Sequence, residues 1–372
     1  MSSSVASLAG GVGGGLALLA VVVVLLWFCK SKFGNSANQN SETGSSNLAA
    51  LAEGRNRTRQ FTLQELEQAT KRFDEGNLIG FGSFGSVYKG LLGDGTVVAI
   101  KMRQGMLHPE FVSEVEYISE VRHRNLVNLL GYCIDDGLQM LVFEYLPNGS
   151  MCNHLYDTGQ DSSTKLEFKQ RISIAIGAAR GLCHLHSHIP PLIHRNFKTA
   201  NVLVDEDFIA KVADAGMARL LEKIDEAGSS QAAPSSGSPF LDPETRESRS
   251  FSETSDVYSF GVFLLELVAG VQAPQGESSS GTGQNLIEWA QSRQSLNELI
   301  DPRLSGTFTM EGLRDYIRLT ILCLISPGTR RPKMDMVVFE LERIQEKEME
   351  LTTVRGEGTS TITPGSELFK AQ

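Results

Sequence analysis

The sequence predicts an α+β fold in which a small sheet-rich lobe precedes a larger helical lobe, behind one transmembrane helix. Three observations lead there. From Gly10 to Cys29 the run GGVGGGLALLAVVVVLLWFC carries no charge. The stretch NLIGFGSFGSVYKGLLGDGTVVAIKM alternates apolar and polar positions between glycine breaks, with Gly93-Asp94-Gly95 as a hairpin turn. Beyond it RISIAIGAARGLCHLH, SDVYSFGVFLLELVAG and GLRDYIRLTILCLI place apolar residues at helical spacing.

Taken along the chain, residues 1–9 are expected to form a short extracellular N-terminus, too short for a ligand-binding ectodomain, and residues 10–29 the transmembrane helix. Twenty helical residues at about 1.5 Å each span about 30 Å, the thickness of a hydrocarbon core. The alternative is a cleaved signal peptide, but no basic residue precedes the run, and it ends in the bulky Trp27 and Phe28 rather than a small-residue cleavage site. Lys30 and Lys32 follow at once, which orients everything after them to the cytosol; the expected location is the plasma membrane. Gly10/Gly14 and Gly11/Gly15 have the spacing at which two membrane helices approach closely, so a homodimer seam competes with a merely flexible helix start. Residues 30–60, rich in Ser, Asn and Gly, read as a flexible juxtamembrane linker whose Arg55, Arg57 and Arg59 can meet anionic lipid. The globular domain is expected over 61–345, with polar surface loops at 228–238 and 275–284, and residues 346–372 as a solvated tail.

The formal charge of −10 argues against nucleic acid as a partner, because phosphate-backbone binding depends on basic side chains that release counterions. Cysteines at 29, 133, 152, 183 and 323 form no CxxC pair and no dense framework, the pattern of reduced thiols. The alternating CHLHSH run does not gather its histidines on one helix face, so no metal site is expected there.

The chemistry concentrates in two segments. Gly80-Phe81-Gly82-Ser83-Phe84-Gly85 is a GxGxxG followed by a strand, SVYKGLL, where a dinucleotide fold would need a helix. A glycine loop between two strands, with Val98-Ala99-Ile100-Lys101 on the next, is the arrangement that covers ATP phosphates. The second segment is LIHRNFKTANVL. Together with RQFTLQELEQATKRFDEGNLIGFGSFGSVYKG, HRNLVNLLGYC, FLDPE and SDVYSFGVFLLEL, these segments resemble the plant receptor-like kinases, membrane-anchored Ser/Thr protein kinases of bilobal fold, over about Phe61 to Ile344.

The resemblance implies ATP and Mg²⁺ as cofactors, in a cleft between the lobes. It assigns Gly80, Gly82, Gly85, Val87, Ala99, Lys101, Glu114, Phe143, Asn201 and Asp214 to nucleotide binding, with Asn201 and Asp214 as metal ligands. Lys101 is expected to pair with Glu114, at a shorter spacing than the family usually shows, and Phe143 to stand as gatekeeper. Lys198 matches the residue that holds the γ-phosphate. Asn196 stands where the family has the catalytic aspartate, and Ala215 where its Asp-Phe-Gly has the ring, one that in the family stacks between the positions of His194 and Ile118. Glu244 and Arg331 match a buried ion pair, and Asp256 an aspartate that supports the catalytic loop. In the activation segment, about Met217 to Leu241, the substrate-positioning threonine is absent or shifted; its Ser229, Ser230, Ser235 and Ser236 are either phosphorylation sites, whose phosphate Arg195 would receive, or an unmodified polar loop.

An amide is isosteric with a carboxylate but not basic near neutral pH, so Asn196 can orient a hydroxyl without taking its proton. The sequence therefore predicts an inactive member, a pseudokinase that acts as scaffold or allosteric partner of an active receptor kinase or other signalling protein. The competing readings are a slow Ser/Thr kinase, since phosphoryl transfer rests largely on alignment and electrostatics, and a structural membrane protein that binds no ATP.

Overall fold

The computed structural model describes residues 58–135, 137–156, 166–224, 237–274 and 299–355. The expected membrane span, homodimer seam, short N-terminus and the four activation-segment serines lie outside them. Among the described residues no helix is long and apolar enough to cross a membrane.

The small lobe is one twisted sheet in the order β1-β5-β6-β4-β3-β2. Its strands are β1 (Arg59–Gln60), β2 (Leu78–Phe81), β3 (Ser86–Leu91), β4 (Val97–Gln104), β5 (Leu129–Asp135) and β6 (Leu138–Glu144). The predicted Gly93-Asp94-Gly95 turn joins β3 to β4, where Asp94 Oδ1 accepts the Thr96 amide at 2.9 Å. Period-two alternation then divides the side chains between two layers. Val98 and Ile100 of β4 and Met140 and Val142 of β6 pack beneath helix α1 (Leu63–Thr70). Leu141 and Phe143 face the other way, against helix α2 (Phe111–Glu120). Thr62 and Glu65 start α1 with a reciprocal capping box, the T-x-x-E signature.

One boundary moves here. Arg59 and Gln60, expected in the linker, pair in parallel with Gly131 and Tyr132 of β5. Arg59 also bonds Glu65 at 3.0 Å in an exposed pair at the start of α1.

The large lobe is helical: α3 (Met151–Tyr156), α4 (Phe168–His186), α5 (Met217–Ile224), α6 (Pro243–Ser248), α7 (Glu253–Ala269), α8 (Met310–Leu324) and α9 (Met334–Arg355), with a two-stranded ribbon β7 (Val202–Val204) and β8 (Ala210–Val212). Helix α7 is buried without interruption from Ser255 to Ala269, its mostly apolar surface carrying two buried carboxylates, Asp256 and Glu266. It can lie tight against α8 because Gly261 has no side chain; a Cβ there would sit 2.8 Å from that of Cys323. Arg171 of α4 is spent entirely inside, donating to Asp301 at 2.6 Å and to the carbonyls of Leu267 and Leu166.

Two further expectations are corrected. Arg331 pairs with Asp242, not chiefly with Glu244: Nη1 and Nη2 donate to the two Asp242 oxygens at 2.7 and 3.0 Å, while Glu244 stands 3.7 Å away. Asp242 caps α6 and is buried, whereas Glu244 is 45 % exposed and accepts the Gly328 amide instead. The domain also does not stop at 345. Helix α9 runs on to Arg355, and Glu348, fully buried, accepts from the Thr309 amide and hydroxyl at the N-terminus of α8. An anion at unsatisfied helix-end amides is favourable.

Two outcomes are expected. Arg331→Ala strands the Asp242 carboxylate and should lower unfolding free energy by about 3–5 kcal/mol, while Glu244→Gln should cost under about 1 kcal/mol; urea denaturation compares them, and equal losses would restore Glu244 as the main partner. Ending the chain at 345 should lower Tm by about 2–8 °C, for a lost cap of ~1–2 kcal/mol, with Glu348→Ala reproducing most of that drop and Lys347 left in place.

Candidate functional site

The cleft between the lobes, about 910 Å³, is lined by β2, β3, β4, the end of β6 and the loop before β7. Its roof is the β2–β3 turn, closed by the Gly82 and Gly85 backbones, each donating to the other's carbonyl at 2.8 and 3.2 Å. Gly85 has φ +141°, and a Cβ there would lie 2.1 Å from the Met102 carbonyl oxygen, so only glycine fits. Cross-strand register sets the wall beneath it. Val87 faces Lys101 and Ala99 faces Phe143, and directly opposed residues share a face, so all four reach the cleft. Gly80 and Gly82 line it as well.

The floor is built on hydrogen bonds to one buried carboxylate. Asp256 of α7 accepts the amides of His194 and Arg195 at 2.8 and 2.9 Å and the His186 ring at 2.9 Å. These bonds hold Arg195 at φ +65°, a region that costs an ordinary side chain free energy. Thr199 and Tyr156 both donate to the buried Glu266 beneath the same loop, and burial raises the Glu266 carboxyl above its ordinary range. The β7–β8 ribbon then brings Asn201 beside Asp214, with the Ala213 amide donating to the Asn201 carbonyl at 2.8 Å. Asn196, Lys198, Asn201 and Asp214 all line the cleft.

Eleven of the twelve residues predicted for the site thus gather at this roof and floor, Gly85 through its turn. Glu114 does not. Lys101 Nζ meets Asp214 Oδ1, and both Glu114 oxygens accept from Arg219 of α5, at 2.7 and 3.2 Å. The expected Lys101–Glu114 pair is therefore replaced by two other pairs. The physical reason lies in α5, whose Met217, Ala218, Leu220, Leu221 and Ile224 are buried beside α2 and carry Arg219 to its flank. Arg219 also lies 4.3 Å over the Tyr117 ring. Sequence reasoning missed Arg219, although MARLLEKI spaces its apolar residues as an amphipathic helix. It also missed Lys211, which reaches across to both oxygens of Glu144 at 2.9 and 2.8 Å and ties β8 to the end of β6.

Electrostatics at Asp214 follow from these contacts. Burial alone would raise its carboxyl, but Lys101, His194 and Lys198 outweigh that and hold it below the ordinary carboxylate range. Its folded-state value being depressed, this group contributes stability above the unfolded carboxylate range and loses it as pH falls through the folded value. For a cation the donor set is chemically suitable. Asp214 supplies a carboxylate, and Asn201 spends its amide nitrogen on the Asn196 carbonyl at 2.8 Å, leaving its oxygen end for a hard ion such as Mg²⁺. The glycine turn, Lys101 and this pair together fit a magnesium nucleotide.

Comparison with known proteins agrees with that geometry. The family model for protein tyrosine and serine/threonine kinases matches residues 73–305. Among curated relatives from Arabidopsis thaliana, the receptor-like protein kinase HERK 1 is 41 % identical over 74 % of this chain and 34 % of its own length, and the receptor-like protein kinase FERONIA 38 % identical over 85 % and 36 %. The chain thus spans little more than a third of the length of these relatives. Among solved structures, the pseudokinase domain of BIR2, described as an immune regulator of the RLK/Pelle family, superposes with a TM-score of 0.63 at 31 % identity, covering 77 % of this chain and 86 % of that one. With the fold, the cleft and the match over most of the described domain in agreement, the chain belongs to the protein tyrosine and serine/threonine kinase family, among the receptor-like kinases.

Proposed function

We propose that this chain is a membrane-anchored receptor-like pseudokinase that binds nucleotide and serves signalling as a scaffold or allosteric partner of an active kinase. The observation that carries the reading is Asn196, an amide at the position of the general base, in the same cleft as Lys101, Asn201 and Asp214. Its membrane anchoring rests on the uncharged run from Gly10 to Cys29 with Lys30 and Lys32 behind it. The likeness to the BIR2 pseudokinase domain is consistent with a regulatory rather than catalytic role.

Members of this family generally bind ATP and Mg²⁺. In this chain Lys101 offers a cation to the phosphates, and the Gly82–Gly85 turn lets the backbone approach them. Asp214 and Asn201 would hold the metal ion, which when bound neutralises charge between the phosphates. Asn196 can accept a hydrogen bond from a hydroxyl and so orient it, but its amide does not take the proton. A positioned base contributes ~10²–10⁴-fold, about 3–5.5 kcal/mol of barrier. Ala215 adds a second defect, because a packed aromatic ring is absent where the chain turns from the large-lobe core towards α5.

Mg-ATP at a hundredfold excess over Kd should stabilise the protein by about 2.7 kcal/mol, read as a rise in Tm that Lys101→Met abolishes; no rise and no binding of a fluorescent ATP analogue would favour the structural reading. In a phosphotransfer assay, turnover is expected far below the ~1–100 s⁻¹ of ordinary kinases. Asn196→Asp should restore part of the ~10²–10⁴-fold, and Asn196→Asp with Ala215→Phe should exceed either change alone. Wild-type turnover in the ordinary range that vanishes in Lys101→Met would overturn the pseudokinase reading. The chain should also resist carbonate extraction from membranes, with deletion of residues 1–29 releasing it; an N-terminus found cleaved near residue 29 would remove the anchor.

A further inference from the structure

Outside the cleft, three imidazoles meet where the loop after α2 crosses the end of α4. The CHLHSH run divides its histidines there: His186 turns inward to Asp256, while His184 and His188, four positions apart, bring their ring centroids to 5.0 Å. From the loop, His123 stacks on His184 at 4.8 Å with the two rings 15° from parallel. His188 Nε2 is buried without a hydrogen-bond partner among the described residues, so a charge on that ring would carry a donor with no acceptor. The charges around the cluster are cationic or already paired. Arg124 beside His123 and Arg180 of α4 both act on the His123 ring, and Arg180 is held to Glu342 of α9 at 2.7 Å. Arg122 donates to the Ser119 carbonyl, Lys211 of β8 is held by Glu144, and Asp335 of α9 acts on the Cys183 thiol. Burial, then His184, Arg124 and Arg180, keep the His123 imidazole below its ordinary value, and burial and His188 do the same to His184.

One of these rings also belongs to a hydrogen-bond network that reaches the cleft. His123 Nδ1 accepts the Asn125 amide at 3.2 Å. A backbone N–H can only donate, so Nδ1 carries a lone pair and is the atom that takes a proton; the charged ring then sets one N–H against another and the bond is lost. Asn125 in turn joins the loop to β8: its Nδ2 donates to the Ala210 carbonyl at 2.8 Å, and its carbonyl accepts the Val212 amide at 2.9 Å. The Val127 amide returns a bond to the Val212 carbonyl at 3.0 Å. The fit against α4 is close, since a Cβ on Gly181 would lie 2.6 Å from the Asn125 carbonyl oxygen. Val212 stands two residues before Asp214, and Ala213 between them bonds Asn201, so the loop supports the floor of the cleft.

We propose that His123, His184 and His188 form an acid-sensitive clasp: neutral, they hold the loop after α2 onto α4 and β8, and protonated, they release it and weaken nucleotide binding in the cleft. The last step rests on the reading of the cleft as a nucleotide site. His123 gives its lone pair to an amide, and among the described residues no group of ligating side chains is arranged to hold a metal ion, so the ligand of this cluster is the proton. Each ring that charges makes charging its neighbour less favourable, because like charges in contact repel most where water is excluded. A released loop has no such neighbours, so protons favour release. With the folded values depressed, the clasp contributes fully above the unfolded imidazole value and loses its contribution as pH falls through the folded values. By reciprocity, bound nucleotide must make the cluster harder to protonate.

The test measures amide hydrogen exchange and the Kd for Mg-ATP in the full chain at about pH 7.5 and about pH 5.5, in wild type, His123→Asn and His184→Gln. An asparagine at 123 offers an oxygen near the place of Nδ1 and does not titrate. After correction for intrinsic exchange, the Asn125, Val127 and Val212 amides of wild type should lose protection in acid, by about tenfold for each pH unit by which folding depresses an imidazole. His123→Asn should keep its protection, and His184→Gln, which removes a neighbouring charge, should lose less than wild type and keeps the test open if His123→Asn folds poorly. No loss in wild type, or an equal loss in wild type and both variants, overturns the clasp. The ratio of the wild-type Kd to that of His123→Asn, in which protonation of the nucleotide itself cancels, should be near one at the higher pH and rise about two- to tenfold at the lower, as the binding-competent fraction falls. A ratio that stays at one while exchange responds overturns the link to the cleft. If no protein binds Mg-ATP at either pH yet exchange responds as expected, the nucleotide reading falls and the clasp stands.

Discussion

The cleft depends on one buried carboxylate. Asp256 sits on α7, the helix enclosed on all sides, and gathers the amides of His194 and Arg195 together with the His186 ring. Removing a carboxylate from water is expensive unless its oxygens are satisfied, and here three donors satisfy them. The same bonds stabilise the left-handed turn at Arg195, which would otherwise cost about 1–2 kcal/mol. From that turn the order propagates outward. His194 reaches the Ala213 carbonyl at 2.9 Å, Ala213 bonds back to Asn201, and Asp214 follows at the edge of the cleft.

Around this framework the chain separates shape from reactivity. Asn196 occupies nearly the volume of an aspartate, and its carbonyl accepts from the Asn201 side-chain nitrogen Nδ2, a bond that does not involve its own side chain. What changes is chemical: the amide is neutral, is not basic near pH 7 and puts an NH2 donor where a carboxylate has a second acceptor oxygen. The scaffold ion pairs, Arg331 with Asp242 and Arg171 with Asp301, are both complete and buried, and neither faces the reacting groups. Breaking either would leave a charge stranded in a low dielectric, a cost the fold cannot absorb cheaply. The position of Asn196 carries no comparable structural load, so the fold and the cleft do not depend on which of the two side chains stands there.

The activation segment shows how packing can choose among ion pairs. In isolation Glu114 would be equally served by a lysine or an arginine, but Arg219 presents two donors in a fixed fork and rests on Tyr117. It is brought there by the apolar face of α5, whose burial supplies the larger, non-directional part of the free energy. Lys101, left without Glu114, takes the nearest carboxylate, Asp214. The charge pattern of the cleft is thus a consequence of where eight residues of helix find apolar neighbours.

Much of this was legible in the sequence because it is local. Alternation marked the strands, the glycine turn marked its own backbone constraint at Gly85, and helical spacing marked α4, α7 and α8 within a few residues. The motifs placed Asn196, Asn201 and Asp214 in one cleft because a short ribbon joins them. The tertiary structure decided what depends on contacts between distant segments. Whether Arg331 takes Asp242 or Glu244 turns on which carboxylate is buried, and two carboxylates in one LDPE run differ in that respect. Arg59 and Gln60 became a strand because β5 had an open edge, and the helix beyond residue 345 persists because Glu348 meets the amides of α8. The partner of Glu114 belongs to the same class. Residue spacing fixes which groups can exist on a face, but an ion pair goes to the charge that packing brings nearest, and packing is a property of the whole fold.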